Sequence, residues 1–151
     1  MRQQPYGSVI YMKKIENLID IDFARGKILP RPRDMHKGDA GKVLVIAGSK
    51  GMAGAAALSA KAALRTGSGL VQVAVTDDIL NTVQCIAPEA TCLLRYSEKA
   101  RNSAGMAPTR IKRFDGGAID INEFDALAFG PGLGVGEAEK DLLLRVLSEY
   151  E

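Results

Sequence analysis

The sequence predicts an α/β fold built on a mostly parallel sheet, and three observations carry that expectation. Val43–Ala47, Leu70–Val75 and Ala126–Phe129 are short, predominantly apolar runs, the pattern of parallel strands buried on both faces. Two of these runs pass directly into a glycine-rich loop and then into a helical pattern. Gly48, Gly51 and Gly54 precede a helix over Ala55–Thr66, and Gly130-Pro131-Gly132-Leu133-Gly134 precedes a helix from Gly136 or Glu137. A chain of 151 residues suits one domain, which at that size buries roughly 70% of its unfolded surface.

In chain order, Met1–Tyr11 reads as a weakly anchored leader, and Met12, followed by Lys13-Lys14, is a second candidate start with an extension upstream of it. Ile15–Phe23 has a rough helical period through Ile15, Leu18, Ile19 and Phe23. Pro30 and Pro32 then interrupt regular structure, leaving Arg31-Pro32-Arg33 extended on the surface. Residues 1–28 are therefore expected to form a leader and short helix, and residues 29–151 the domain.

Within the domain, the Ala55–Thr66 helix is rich in alanine, which lets it approach a sheet closely, with Lys61 and Arg65 on one exposed line. Gly67 stops it, since glycine takes positive φ without a Cβ penalty. Leu70–Val75 completes a βαβ unit whose crossover should be right-handed. Asp77-Asp78 marks the next helix start, acidic residues there complementing the macrodipole. Ile79–Ile86 follows as helix, ended by Pro88, and Ala90–Leu94 as a third strand. Arg95–Gly117 is polar and cationic; a solvated loop with a short strand at Arg110–Phe114 is expected there rather than a phosphate-binding patch. After Ala126–Phe129, the last helix presents Leu142, Leu143, Val146 and Leu147 as its apolar face.

Several function classes are disfavoured. A net charge of +2 without a basic stripe interleaved with aromatics argues against nucleic acid. The longest apolar runs are strand-length, too short to span a bilayer, and the N-terminal residues lack the apolar core of a signal peptide. Cys85 and Cys92, with His36 as the one histidine, make a structural zinc site very improbable; reduced thiols in the cytoplasm are the expectation.

The easy motif matches fail. Gly41-Lys42 resembles the end of a phosphate-binding P-loop, but Val43 follows where Ser or Thr is required, and His36 replaces the first glycine. Gly48-Ser49-Lys50-Gly51-Met52-Ala53-Gly54 spaces its glycines by three, unlike the dinucleotide-binding turn, and Gly130-Pro131-Gly132 lacks the third glycine. Both loops nonetheless open helices, whose N–H groups and positive ends suit anions. Two readings stay open: backbone approach to a ligand, or glycines that merely permit tight turns. Parallel strands place both loops at the same edge of the sheet, where they would line one cleft. Asp39, Asp77 and Asp78 have turn or cap explanations, and no carboxylate pair stands out for acid–base chemistry.

His36-Lys37-Gly38, then VLVIAGSKGMAGAAALSAKAALRTGSGLV, then DALAFGPGLG, together resemble the ADP-dependent (S)-NAD(P)H-hydrate dehydratases, over roughly Leu29–Glu151 and in that family's order. The resemblance implies a ribokinase-like three-layer α/β/α fold, here apparently truncated. It also implies a metabolite-repair lyase that returns hydrated NADH or NADPH to the normal cofactor. ADP or ATP, with Mg2+, would phosphorylate the hydrate's hydroxyl, and loss of phosphate, a far better leaving group than hydroxide, would restore the double bond.

Carried over to this sequence, the resemblance puts Gly54, Ala55 and Gly134 against the hydrated nicotinamide cofactor, with Gly48, Ser49, Met52 and Gly132 lining the cleft. The family's later segments, a His-Pro-Gly-Glu-like stretch and a Gly-Thr-Gly-Asp turn with the catalytic aspartate, do not occur here. No catalytic residue and no metal ligand is therefore assigned, and the chain alone is expected to be inactive and to need a second copy or the missing half to cover its sheet. The alternatives are a ribokinase-like kinase of a sugar or vitamin precursor, and a non-catalytic remnant or binding module.

Overall fold

The computed structural model describes residues 20–27, 30–95 and 120–150. They fall in two compact units, one ending at Arg33 and the other beginning at Asp34. In the first, helix α1 spans Ile21–Lys27. Asp20 accepts a hydrogen bond from the Phe23 N–H at 2.8 Å, an N-cap that starts this helix at Ile21; the earlier start expected at Ile15 lies outside the described residues.

The second unit is a four-stranded, all-parallel sheet of β1 (Lys42–Ile46), β2 (Leu70–Val75), β3 (Thr91–Leu94) and β4 (Ala126–Phe129), in the order β3-β2-β1-β4. Helices α2 (Ala53–Thr66) and α3 (Asp77–Ile86) pack on one face and α4 (Glu137–Glu149) on the other. Alternation within each strand divides the core between the layers. Val45, Val71, Val73 and Leu94 face α2 and α3, while Leu44, Ile46, Ala74 and Leu93 face the α4 side. Ala56, Ala57 and Ala60 of α2 are completely buried against the sheet, the close approach that the alanines predict.

Element boundaries move where local hydrogen bonding dictates. α2 begins at Ala53 rather than Ala55 and follows the turn closed by the Met52 N–H on the Ser49 carbonyl, 2.7 Å. α3 begins at Asp77, with the Ile79 N–H on the Thr76 carbonyl. Ala90 belongs to a turn, its N–H on the Ala87 carbonyl, so β3 starts at Thr91. The apolar face expected of α4 also needs correction. Val146 is buried, with Leu142 and Tyr150 packed into the same layer, whereas Leu147 is 66% exposed. One residue of helix turns a side chain by about 100°, enough to carry Leu147 away from the sheet. Ile121, which opens a single 3-10 turn, Phe124 and Leu133 complete the layer instead. The strand expected at Arg110–Phe114 lies outside the described residues.

At the amino ends of β1 and β2, His36–Asp39 forms a tight turn, with the His36 N–H on Asp39 Oδ2 and the Asp39 N–H on the His36 carbonyl. Gly69 backs directly onto it, donating toward the carbonyls of Ala40 and Gly41 at 3.1 and 3.0 Å. Asp125 clamps the same end of the sheet: its Oδ2 accepts from the Lys42 N–H at 2.7 Å and its N–H donates to the Lys42 carbonyl. Among the described residues, no helix is long and apolar enough to cross a membrane.

Candidate functional site

The chain leaves β1 toward α2 on one face and leaves β4 toward α4 on the other, although β1 and β4 are neighbours. That divergence is a topological switch point, where the loops beyond the carboxyl ends of adjacent parallel strands open a crevice for ligands. The two glycine loops are those loops.

They are stitched together by main-chain and side-chain bonds. The Gly48 N–H donates to the Pro131 carbonyl at 2.8 Å, and the Ser49 hydroxyl donates to the Gly132 carbonyl at 2.7 Å. The Gly130 N–H continues the ladder to the Ile46 carbonyl at 3.1 Å. Beside Gly134, a shallow hollow lined by Phe129, Gly134, Val135, Gly136, Glu139 and Leu143 opens along β4.

The glycines sort by what a side chain would meet. At Gly48 a Cβ would lie 2.6 Å from Ile79 Cδ1 and 3.0 Å from Ala56 Cβ; at Gly132 it would lie 2.8 Å from Ala55 Cβ and 3.0 Å from Met52 Cβ. These two glycines let the loops press against α2 and α3. Gly134 faces open space but has φ of +95°, a region that other residues enter only at a cost. Gly54 differs from all of these: it sits in the first turn of α2, without positive φ, and nothing approaches within 4 Å of the added Cβ. Ala55 follows it, half-buried, and Met52 is 50% exposed at the N-cap.

Neither α2 nor α4 has a side-chain cap at its N-terminus, so first-turn N–H groups remain directed at the crevice. The first turn of α4 carries Glu137 and Glu139, whereas that of α2 carries no acid. The α2 end is the more favourable of the two for an anion.

Arg95, which the sequence reading left in a polar loop, is buried to 8% exposure at the end of β3. Its Nη2 donates to the Gly48 carbonyl at 3.0 Å and its Nη1 lies 3.7 Å from Glu139 Oε1. Burial pulls its pKa below the ordinary arginine value, opposed by the nearby carboxylates of Glu139 and Asp78. Position supplied the missing signal: Arg95 directly follows an apolar strand, at the carboxyl edge where both glycine loops lie.

The other candidates separate from the site. His36 is exposed at the opposite end of β1. Asp78 accepts a hydrogen bond from the Thr76 hydroxyl in the first turn of α3, a turn role. Cys85 is exposed and Cys92 buried, both unpaired, and burial raises the Cys92 thiol pKa. Among the described residues no group of three His, Cys, Asp or Glu side chains could hold a metal ion. The described residues thus offer no ready-made carboxylate cluster for Mg2+.

A parallel sheet flanked by helices on both faces, with paired glycine loops at its switch point, defines a doubly wound α/β protein. The profile of the NAD(P)H-hydrate dehydratase family matches residues 43–151, and the chain belongs to that family. It is 36% identical over 129 residues to the bifunctional NAD(P)H-hydrate repair enzyme of Gloeobacter violaceus, covering 85% of this chain and 23% of that one. It is 30% identical over 119 residues to the ADP-dependent (S)-NAD(P)H-hydrate dehydratase of Listeria monocytogenes, covering 79% of this chain and 37% of that one. The crystal structure of the ADP/ATP-dependent NAD(P)H-hydrate dehydratase of Bacillus subtilis, co-crystallised with ATP and Mg2+, superposes with a TM-score of 0.62 at 28% identity, over 84% of this chain and 40% of that one. A ribokinase-like superfamily protein from Enterococcus faecalis, at 24% identity, shares the fold with a TM-score of 0.63 over 82% of this chain and 38% of that one. The chain spans well under half the length of each of these proteins.

Proposed function

We propose that these residues form the cofactor-binding part of an NAD(P)H-hydrate dehydratase, with Gly54, Ala55 and Gly134 against hydrated NADH or NADPH. Gly48, Ser49, Met52 and Gly132 shape the floor and wall of the same cleft. The observation that carries the reading is Gly54. Packing explains Gly48 and Gly132, and backbone conformation explains Gly134, but nothing among the described residues requires glycine at 54. Alanine there would favour the helix by up to about 1 kcal/mol, so the missing side chain points to a ligand that comes close. The acid-free N-terminus of α2 suits the pyrophosphate of such a cofactor.

The repair reaction would take its phosphoryl group from ADP or ATP, as the names of the relatives suggest. Phosphoryl transfer depends on positioned charges around the transferred group, and the residues described here supply no metal cluster for it. We therefore assign binding to these residues and turnover to groups outside them. Calorimetric titration of the purified chain should show binding of (S)-NADPH hydrate. Incubation with the hydrate, ADP or ATP, and Mg2+ should regenerate no NADPH. Absence of hydrate binding would refute the binding assignment, and regeneration of NADPH would refute the division of labour.

On the same reading the working compartment is the cytoplasm, which unpaired Cys85 and Cys92 suit; fractionated cells should show the protein there and not in the membrane or secreted fraction. Val135 before α4 and Leu144 and Leu147 on it are exposed, and β4 ends the described sheet; such apolar and edge surface suits further polypeptide, as a second copy or the rest of the fold. Sedimentation of the chain at micromolar concentration should give a dimer or larger species; a stable monomer would contradict this.

A further inference from the structure

We infer that Arg95 is a positioning residue that couples the two glycine loops, holding the first loop at a fixed distance from the first turn of α4. Three separately coded elements converge on it. Its own N–H bonds the Val75 carbonyl at 2.7 Å, so its backbone is fixed by β2. One guanidinium nitrogen holds the last carbonyl before the first loop turns, that of Gly48, and another faces Glu139 in the first turn of the helix that the second loop opens.

A buried arginine is costly unless its charge and donors are matched. The matching here comes from the Gly48 carbonyl and the Glu139 carboxylate, and among the described residues the buried Nε has no hydrogen-bond partner. Its side-chain contacts thus tie together segments, at Gly48 and Glu139, that the chain separates by more than eighty residues. Asp78 adds a second nearby negative charge from α3. Losing either end of the tie, the Gly48 carbonyl or the Glu139 carboxylate, should let the first loop open.

Amide hydrogen exchange on the whole chain tests this, because it reads the loop and the sheet separately. The reporters are the N–H of Gly48, bonded to Pro131, and that of Met52, bonded to Ser49. In Glu139→Gln, exchange at both should rise about tenfold while β1 and β2 amides stay within about twofold. Arg95→Met should do the same, and Arg95→Lys, which keeps the charge and a donor, should recover part of the protection. Unchanged loop exchange in Glu139→Gln, or a rise shared equally by the sheet, would overturn the inference, and this variant decides the matter even if Arg95→Met fails to fold.

A second arm rests on the proposed function: Glu139→Gln should bind (S)-NADPH hydrate about tenfold more weakly. An unchanged affinity beside a wild-type chain that does bind would also overturn the positioning role. A wild-type chain that binds no hydrate would refute the proposed function, and the exchange arm would still decide the inference.

Discussion

Gly54→Val should weaken binding of (S)-NADPH hydrate by tenfold to a hundredfold while leaving the fold as stable as before or slightly more so. The two halves of that expectation have separate causes. Open space surrounds the position that a Cβ would occupy, and the backbone there is helical rather than left-handed. Among the described residues a Cβ at 54 meets nothing, and replacing glycine by valine in a helix recovers a few tenths of the roughly 1 kcal/mol that separates glycine from alanine. A ligand seated against the α2 N-terminus, however, would lose its place to two methyl groups. Forcing such a group into a filled contact costs about 1–3 kcal/mol, which corresponds to roughly a five- to 150-fold loss of affinity. Calorimetry for affinity and urea unfolding for stability check the two halves on one sample. Equal affinity would remove the ligand from Gly54, and a marked stability loss would show that the position is structural after all.

Gly69→Ala should have the opposite profile, a loss of fold with no specific effect on the cleft. A Cβ at 69 would fall 1.5 Å from the Lys37 carbonyl oxygen and 2.6 Å from its carbon, with Ala40 Cβ at 3.0 Å. Both close atoms belong to backbone, held in the His36–Asp39 turn by the Asp39 carboxylate, so no side-chain rotation relieves the clash. The turn must move, and with it the bonds from the Gly69 N–H to the Ala40 and Gly41 carbonyls. A displaced turn with broken backbone bonds at the start of two central strands should cost about 3 kcal/mol or more, a large part of a typical domain's stability. Gly38→Ala, in the same turn but facing open space, is the control and should stay within about 0.5 kcal/mol of wild type. Urea midpoints for the three proteins decide it, and a Gly69→Ala midpoint equal to that of the control would contradict the packing described.

The glycines show how far a sequence can be read. Gly67 is recognisable as a helix stop from its place after Thr66, and the structure gives it φ of +108° in that role. Gly69, two residues on, carries no such local signal, because its reason is the backbone of Lys37, brought against it only by the pairing of β1 with β2. Gly48, Gly54 and Gly132 likewise look alike in the sequence, and only the packing of α2 and α3 separates the two that fill contacts from the one that faces space.

The strands were legible for a simpler reason. Runs such as VLVI and ALAF are apolar on both faces because both faces of the sheet are covered, so composition alone marks them. Arg95 ran against that logic. A single arginine opening a cationic stretch reads as surface, and its burial follows from two partners, Gly48 and Glu139, that lie far away in sequence. Leu147 failed in the other direction, since an apolar residue on a one-sided helix is buried only if its angle matches that of Val146.

The claim that joins fold to function is that the paired glycine loops at the β1–β4 switch point hold the hydrated nicotinamide cofactor. Amide-resolved NMR of the 151-residue chain, titrated with (S)-NADPH hydrate, tests it most directly. Saturable shifts should be confined to residues 48–55 and 130–136, with the His36–Asp39 turn at the far end of the sheet unmoved. Shifts clustered at that turn, or none in the two loops at saturating hydrate, would contradict it.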